Sequence, residues 1–375
     1  MTVKISIQLL SDYQPANVAS AMTALLAPLG GMRAFIGESE TVVVKPNLLA
    51  PRAVERATNT HPEIVRETAR QLHACGTAKV LVTDSSGIGT AVQVARRMGL
   101  HSEGPMEIVN PDEAESISSP GGGMWKLRLS KLMLSHPVIN VAKAKTHGQM
   151  IVTAAVKNMF GGVLGLEKAQ WHYRIGKDPM AFGRLIVHIH QTLAPRLNIL
   201  DGVIGMEGNG PGSGTPRQLG FLMASENAHA LDYVLCRIWK LNPDHVYTIR
   251  AAREQGLLPA DDEIEIIGPD IKSLHPSPDW QMASHASVAK LFGPAWLTPV
   301  LERLLQSTPR VHPSKCTMCL ECVHHCAANA MDASSGQIEI DMKKCISCFC
   351  CQEMCPHSAI TVQTGFLAQL LRLGR

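Results

Sequence analysis

Over about the first 270 residues, short apolar runs alternate with stripes at helical spacing. Val3, Ile5 and Ile7 alternate with polar residues and predict a strand. Val18, Ala21, Met22, Leu25, Leu26 and Leu29 then recur at helical spacing until Gly30-Gly31 stops them. Thr41–Val44 reads as a buried strand. Thr60-x-x-Glu63 reads as a capping box that opens a helix with Ile64, Val65, Thr68, Ala69 and Leu72 inward, ended by Gly76. A strand at Ala78–Thr83, a helix near Thr90–Met98 and a short strand at Glu107–Val109 follow. Trp125, Leu127 and Leu129 alternate with polar neighbours as in a half-exposed strand. Val138–Ala142, Leu197–Leu200 and Leu219–Met223 are further strands, and helices at Ala228–Trp239 and Val246–Gln255 precede a strand at Glu263–Ile267. This alternation predicts an α/β domain over residues 1–270, with a mainly parallel sheet flanked by helices.

The pattern then changes. Residues 271–312 hold several prolines and one amphipathic stripe, Trp296, Leu297, Val300, Leu301, Leu304 and Leu305, and read as a linker with a packing helix. Residues 313–363 are dominated by cysteine and predict a small α+β ferredoxin-like domain, with a hairpin in Asp332–Asp341 around Ser335-Gly336. Residues 364–375 form a short amphipathic tail, Phe366, Leu367, Leu370 and Leu371, expected to dock on the body of the protein rather than on a membrane surface.

Eight of the eleven cysteines fall in two runs, Cys316-x2-Cys319-x2-Cys322-x3-Cys326 and Cys345-x2-Cys348-x2-Cys351-x3-Cys355-Pro356. Thiolates at these spacings hold cubane iron–sulfur clusters, and the fourth cysteine of each run ligates the other cluster. The expectation is two 4Fe-4S clusters, one on Cys316, Cys319, Cys322 and Cys355, the other on Cys345, Cys348, Cys351 and Cys326. Zinc sites favour two paired C-x2-4-C units, and disulfide frameworks belong to small secreted chains. Ala327 stands where the first run would ordinarily have its proline. Cys350 is spare and reads as a packing thiol, as do Cys75 and Cys236 in helices.

Composition narrows the class. A net charge of +3 with interspersed signs, and 4% aromatic residues, leave no basic stripe for nucleic acid. Apolar runs such as Val42–Val44 fall far short of the ~20 residues that a membrane span needs. The N-terminal stretch alternates like a strand and lacks the apolar core of a signal peptide, so a cytoplasmic location is expected.

In open α/β sheets, ligands bind outside the carboxyl ends of the strands. Four of the expected strands end in polar residues: Lys45-Pro46-Asn47, Asp84-Ser85-Ser86, Lys143-Ala144-Lys145-Thr146-His147, and Asp201-Gly202. Lys143, Lys145 and His147 alternate, so extended chain projects them to one side. Lys157 and Asn158 fall in the last turn of a helix that Gly161-Gly162 cap. Lys168 and His172 add a further cation and imidazole. The glycine-rich loop from Glu207 through Gly210 to Thr215 is a candidate anion-binding nest or a plain surface turn. It has no Walker signature, and Gly87-Ile88-Gly89 is an incomplete dinucleotide fingerprint. His147, Lys145 and Asp84 are the candidate catalytic residues. Lys45, Asn47, Lys143, Lys157, Asn158, Lys168, His172, Asp201, Glu207 and Gly210 are candidate contacts to a small anionic ligand.

These motifs, in this order, resemble the uncharacterised iron–sulfur centre proteins, whose first domain is domain of unknown function 362 and many of which end in a double ferredoxin module. The run Cys345-Ile-Ser-Cys348-Phe-Cys350-Cys351-Gln-Glu-Met-Cys355-Pro356 resembles that family's second cluster run. The resemblance implies a fold and no reaction. Three functions stay open: an oxidoreductase that takes electrons from a ferredoxin-like or reductase donor, a non-catalytic carrier whose α/β domain docks a partner enzyme, and a cluster or metal sensor whose redox state changes the packing of the two domains.

Overall fold

The computed structural model describes residues 2–111, 113–118, 126–165, 167–175, 178–276, 279–283 and 307–363. The stripe at 296–305, Trp125 and the tail lie outside the described residues. The strands of the first domain are β1 (Val3–Leu9), β2 (Thr41–Pro46), β3 (Lys79–Val82), β4 (Met106–Ile108), β5 (Ala114–Ser118), β6 (Lys126–Ser130), β7 (Val138–His147), β8 (Ile151–Thr153), β9 (Leu197–Glu207), β10 (Thr215–Ser225) and β11 (Ile264–Ile267). The main sheet runs β11-β1-β10-β9-β7-β2-β3-β4, with β8 paired to the end of β7. It is parallel except at β10 and β8, and β5 and β6 form a separate ribbon.

The helices α1 (Pro15–Leu26), α2 (Pro62–Ala74), α3 (Ala91–Arg97), α4 (Lys131–Ser135), α5 (Ala155–Asn158), α6 (Glu167–Ile175), α7 (Pro179–Leu193), α8 (Ala228–Ile238) and α9 (Tyr247–Glu254) connect and cover the sheet. Alternation along β2 shows the layering. Val42 and Val44 pack with Met22, Leu25, Ile64 and Leu72 of α1 and α2 on one face. Val43 belongs to the opposite core, with Phe182, Ile186, Leu231 and Ile249 of α7, α8 and α9. A sheet covered on both faces buries its strands throughout, and all ten residues of β7 are buried.

Two local expectations change. Helix α2 opens at Pro62, and His61, not Thr60, is its N-cap, accepting from Glu63 N at 3.2 Å. Thr60 Oγ1 instead donates to Val141 O at 2.8 Å and tethers the chain after β2 to β7. Strands β7 and β9 run past their expected ends, because Lys143 of β7 and Asp201 of β9 are register neighbours that neutralise each other inside the sheet.

The cysteine region comprises β12 (Thr308–Val311), α10 (Glu321–His324), β13 (Met331–Asp332), β14 (Glu339–Ile340), α11 (Cys350–Glu353) and β15 (Ile360–Gln363). It is an internal repeat. Met318 and Leu320 of the first run, and Ser347 and Phe349 of the second, take left-handed φ at matching positions, as do Asn329 and Ser358. β12 and β15 pair antiparallel and close the module.

A cavity between the strand ends and the cluster module

The sheet order sets the location of the site. From β2 the chain winds outward through β3 to β4, then returns to β7 on the other side of β2 and winds outward to β9. The winding reverses between β2 and β7, and the crevice beyond their carboxyl ends is the expected ligand position in such sheets. The structure places Lys45 and Asn47 at the end of β2, Asp84 after β3, and Lys145 near the end of β7.

The floor of this crevice is a buried polar lattice. Lys45 and Lys145 are both 0% exposed. Lys45 Nζ lies 2.8 Å from Asp84 Oδ1 and donates to Asn158 Oδ1 at 3.2 Å and to Pro46 O at 2.9 Å. Asn158 Nδ2 donates to Asn140 Oδ1, and Asn47 Nδ2 to Asn158 Oδ1. Lys145 Nζ meets only neutral oxygens among the described residues, Asn47 Oδ1 at 2.9 Å and Thr58 O at 2.7 Å. Burial, and then the neighbouring Lys157, push its ammonium well below the ordinary lysine range. Gly161 is required here: a Cβ would stand 2.0 Å from Asp84 Oδ1 and 2.7 Å from Lys45 Nζ.

The cavity above this floor has about 710 Å³ of empty space, part of it open to solvent. Asn47, Asp84, Lys145, Lys157, Asn158, Lys168 and His172 of the expected set line it. Lys157, on the single turn of α5, makes no hydrogen bond or ion pair among the described residues and lies 5.9 Å from the Phe160 ring centroid. Lys168 and His172, one turn apart on α6, close one side. Lys168 Nζ donates to Ser85 O, and burial lowers it to about 8. Burial takes His172 to about 3, and its Nδ1 has no hydrogen-bond partner among the described residues.

The opposite wall comes from the cysteine module: Cys350, Glu353 and Met354 of α11 and the residue after it, and His325. Glu353 is the acid that reading the strand ends alone does not find. Burial raises it, but His147, Lys157 and His172 outweigh burial and bring it to about 2. His147 stands behind Glu353 and does not line the cavity. Its Nδ1 accepts from Gln149 N and Met150 N, at 3.0 and 3.2 Å, so the proton sits on Nε2. Nε2 lies 3.1 Å from Glu353 Oε1, in reach but off the line of a well-formed hydrogen bond. Burial, with Lys157 next, holds His147 to about 4.

Four expected contacts lie elsewhere. Lys143 and Asp201 pair at 2.7 Å in mid-sheet. Tyr13, which donates to Asp201 Oδ1 at 2.8 Å and stacks on His61 at 3.5 Å, completes that cluster. Glu207 accepts from Gln281 N and holds the 279–283 segment. Gly210 packs so tightly on Thr146 that a Cβ would be 2.1 Å from its carbonyl oxygen. The glycine-rich loop offers carbonyls, not an amide nest: Asn209 O accepts from Gln352 Nε2 of the module at 2.8 Å, and Gly212 O accepts from Arg52 of the first domain. Arg52 also donates to Cys355 O, pinning the module to the domain. Of the loop, Pro211 lines the cavity.

The thiols fit the chemistry of clusters. Cys316, Cys319, Cys322 and Cys355 line one small apolar cavity. Cys326 is an electrostatic neighbour of Cys345 and Cys351 across the repeat. Backbone N–H groups point at the sulfurs of Cys326, Cys355 and Cys345 from Ala330, Ala359 and Ser347. Among the described residues no three ligand-type side chains close on a single ion.

Two stretches of the chain match models of known families. Residues 308–356 match the 4Fe-4S dicluster domain. The thylakoid-associated protein sll1697 of Synechocystis is 36% identical over 272 residues, 70% of this chain and 83% of that protein. Indolepyruvate oxidoreductase subunit IorA of Methanothermobacter thermautotrophicus is 42% identical over 50 residues, 13% of this chain and 8% of its own. An archaeal-type glutamate synthase of Thermotoga is 39% identical over 51 residues, 13% of this chain and 10% of its own. A solved Thermotoga maritima structure overlaps 65% of this chain and 59% of its own at a TM-score of 0.37 and 11% identity. No described helix is long and apolar enough to cross a membrane. Residues 42–237 match domain of unknown function 362, and with the dicluster domain behind it the chain belongs to the DUF362 family and has an iron–sulfur electron-transfer role.

Proposed function

We propose that this protein is an iron–sulfur oxidoreductase whose substrate or cofactor is a small anion bound in the cavity between the two domains. The observation that carries the reading is the composition of the wall: Lys145 near a strand end, with Lys157 and Lys168 on helices of the same domain, faces residues interleaved with the cluster cysteines of the other. A pure carrier has no need to bury Lys45 and Lys145 at 0% exposure, since each buried cation costs several kcal/mol unless something is gained by it. With Lys45 neutralised by Asp84, three lysines, Lys145, Lys157 and Lys168, face one carboxylate, Glu353, and that excess selects negative charge.

Two 4Fe-4S clusters held by the two cysteine sets supply single electrons at low potential when bound, drawn from a ferredoxin-like or reductase donor. The chain's own residues do the rest. Lys157 and Lys168 bind the anionic group, Asn47 and Asn158 orient it, and the apolar edges of Phe160, Leu49 and Met354 exclude water. Glu353, held ionised at about 2 against burial by His147, Lys157 and His172, is a fixed negative charge that sets where an anionic group sits against the lysines. His172, with a free ring nitrogen in the wall, is the group in reach of a proton.

A thermal-shift screen of the cluster-loaded protein under anoxia, with anionic metabolites and nucleotides, tests this. A saturable shift that disappears in Lys157→Ala is the expected result. Silence across the panel, with normal redox cycling of the clusters, would show a carrier instead.

A further inference from the structure

The two cysteine sets stand in different relations to the cavity. Each half of the second set has a direct neighbour in the cavity wall: His325 precedes Cys326, and Cys350 precedes Cys351. Of the first set only Cys355 has one, Met354. The small cavity around Cys316, Cys319, Cys322 and Cys355 shares no lining residue with the large one, and Cys319 is exposed at the surface. Cys350 lines the large cavity and directly precedes Cys351 of the second set. It is a buried wall residue beside Lys157, and its thiol lies within reach of the sulfur of Cys348.

Resting on the reading of the cavity as an anion site, we propose that Cys350 couples that cavity to the second cysteine set alone, so that filling the cavity with an anion lowers the reduction potential of that centre and leaves the first unmoved. The physics is electrostatic. Reduction adds one negative charge to a cluster, and no bond is made or broken. An uncompensated cation nearby stabilises the reduced form, as does a hydrogen bond to a ligating sulfur. Lys157 supplies the first and Cys350 the second. An anion seated on Lys157 cancels the cation. By reciprocity, reduction of the second centre weakens anion binding by the same factor. The first set, open at Cys319, is then the face left for an external donor. Cys350 acts as a positioning residue, not as a ligand.

The test is a redox titration of the full cluster-loaded chain followed by paramagnetic resonance, with the second centre's signal identified by its perturbation in Cys348→Ser. Lys157→Gln and Cys350→Ala are each expected to lower the second midpoint and leave the first in place. His357→Gln, in the wall of the first set's cavity, is the control that should spare the second. Saturating inorganic phosphate should lower the second midpoint in the wild type and do nothing in Lys157→Gln. If Lys157→Gln or Cys350→Ala moves the first midpoint, both equally, or neither, the coupling is wrong. If the variants shift the second midpoint but phosphate does not, the coupling stands and the anion half is overturned, and with it the reading of the cavity as a phosphate-type site.

Discussion

At the scale of single residues, what distinguishes the site is unpaired positive charge. Lys45 has Asp84 and Lys143 has Asp201, whereas Lys157 has no partner among the described residues. Lys157→Ala should therefore remove a direct contact and weaken anion binding tenfold or more, about 1.4 kcal/mol or above, with little effect on melting temperature. Titration calorimetry with a binding anion measures the first part of that claim, and a thermal melt of the variant measures the second. Lys168 carries the pH dependence. Its ammonium is held to about 8 by burial, below the usual lysine range, so it is charged below that pH and neutral above it. Anion affinity should hold at neutral pH and fall as pH rises through about 8, and Lys168→Met should flatten the profile. An affinity unchanged up to about pH 9 would remove Lys168 from the site. Gly161→Ala probes the floor: a methyl 2.0 Å from Asp84 Oδ1 must push the Lys45–Asp84 pair apart. We expect a loss of about 1–3 kcal/mol, read as a lowered melting temperature.

At the scale of elements, the parallel strands and most helices were legible because their apolar periodicity is clean, and so was the crevice, because polar residues punctuate β2, β3 and β7. Asp178-Pro179, followed by Phe182, Leu185, Ile186, Ile189 and Leu193, is a readable helix signal too; it is α7, with Asp178 capping Met180 N and Ala181 N. Other features were hidden for physical reasons. A lysine opposite an aspartate in adjacent strands looks like a strand end until the register is known, which is why Lys143 and Asp201 were expected at the ligand and lie in mid-sheet. Glu353 was hidden because its role depends on which face of α11 meets the first domain. Arg52 was hidden because its partners, Gly212 O and Cys355 O, are backbone atoms 160 and 303 residues away. That long reach makes Arg52 the clamp between the domains. Arg52→Ala should cost about 1.5–3 kcal/mol of docking, the worth of hydrogen bonds from a charged donor. The measurement is hydrogen exchange, with faster exchange expected in the loop at 208–214 and in α11 while β2 and β3 stay protected. Uniform exchange across both domains would mean that the clamp lies elsewhere.

At the scale of the whole molecule, the fold buries imidazoles in several places at once. His147 and His172 belong to the cavity, His61 stacks on Tyr13, and His190 meets His229 edge to face at 5.1 Å. Burial is the leading cause in every case, bringing His61, His147 and His229 to about 4 and His172 and His190 to about 3. In the unfolded chain each returns to the ordinary histidine value near 6.5. Between 6.5 and the native values, the unfolded state binds more protons than the native one, so stability rises with pH across that window and is lost as pH falls through it. Each pKa unit is worth about 1.4 kcal/mol, so even a fraction of the combined shift rivals the ~5–15 kcal/mol by which domains are stable. Glu353, held to about 2, adds to the same trend below the ordinary glutamate range. The melting temperature of the cluster-loaded protein should thus be level above about pH 7 and fall steeply below about pH 6. Visible absorption recorded in parallel separates loss of clusters from loss of fold. His190→Leu removes one protonation site far from the cavity and from both cysteine sets, and fills its place with apolar volume. It should shallow the acid slope while leaving the cluster spectrum unchanged. A melting temperature that stays level down to about pH 5, or a slope that His190→Leu does not alter, would mean that these histidines find protonated partners in the native state and that burial is not what keeps them neutral.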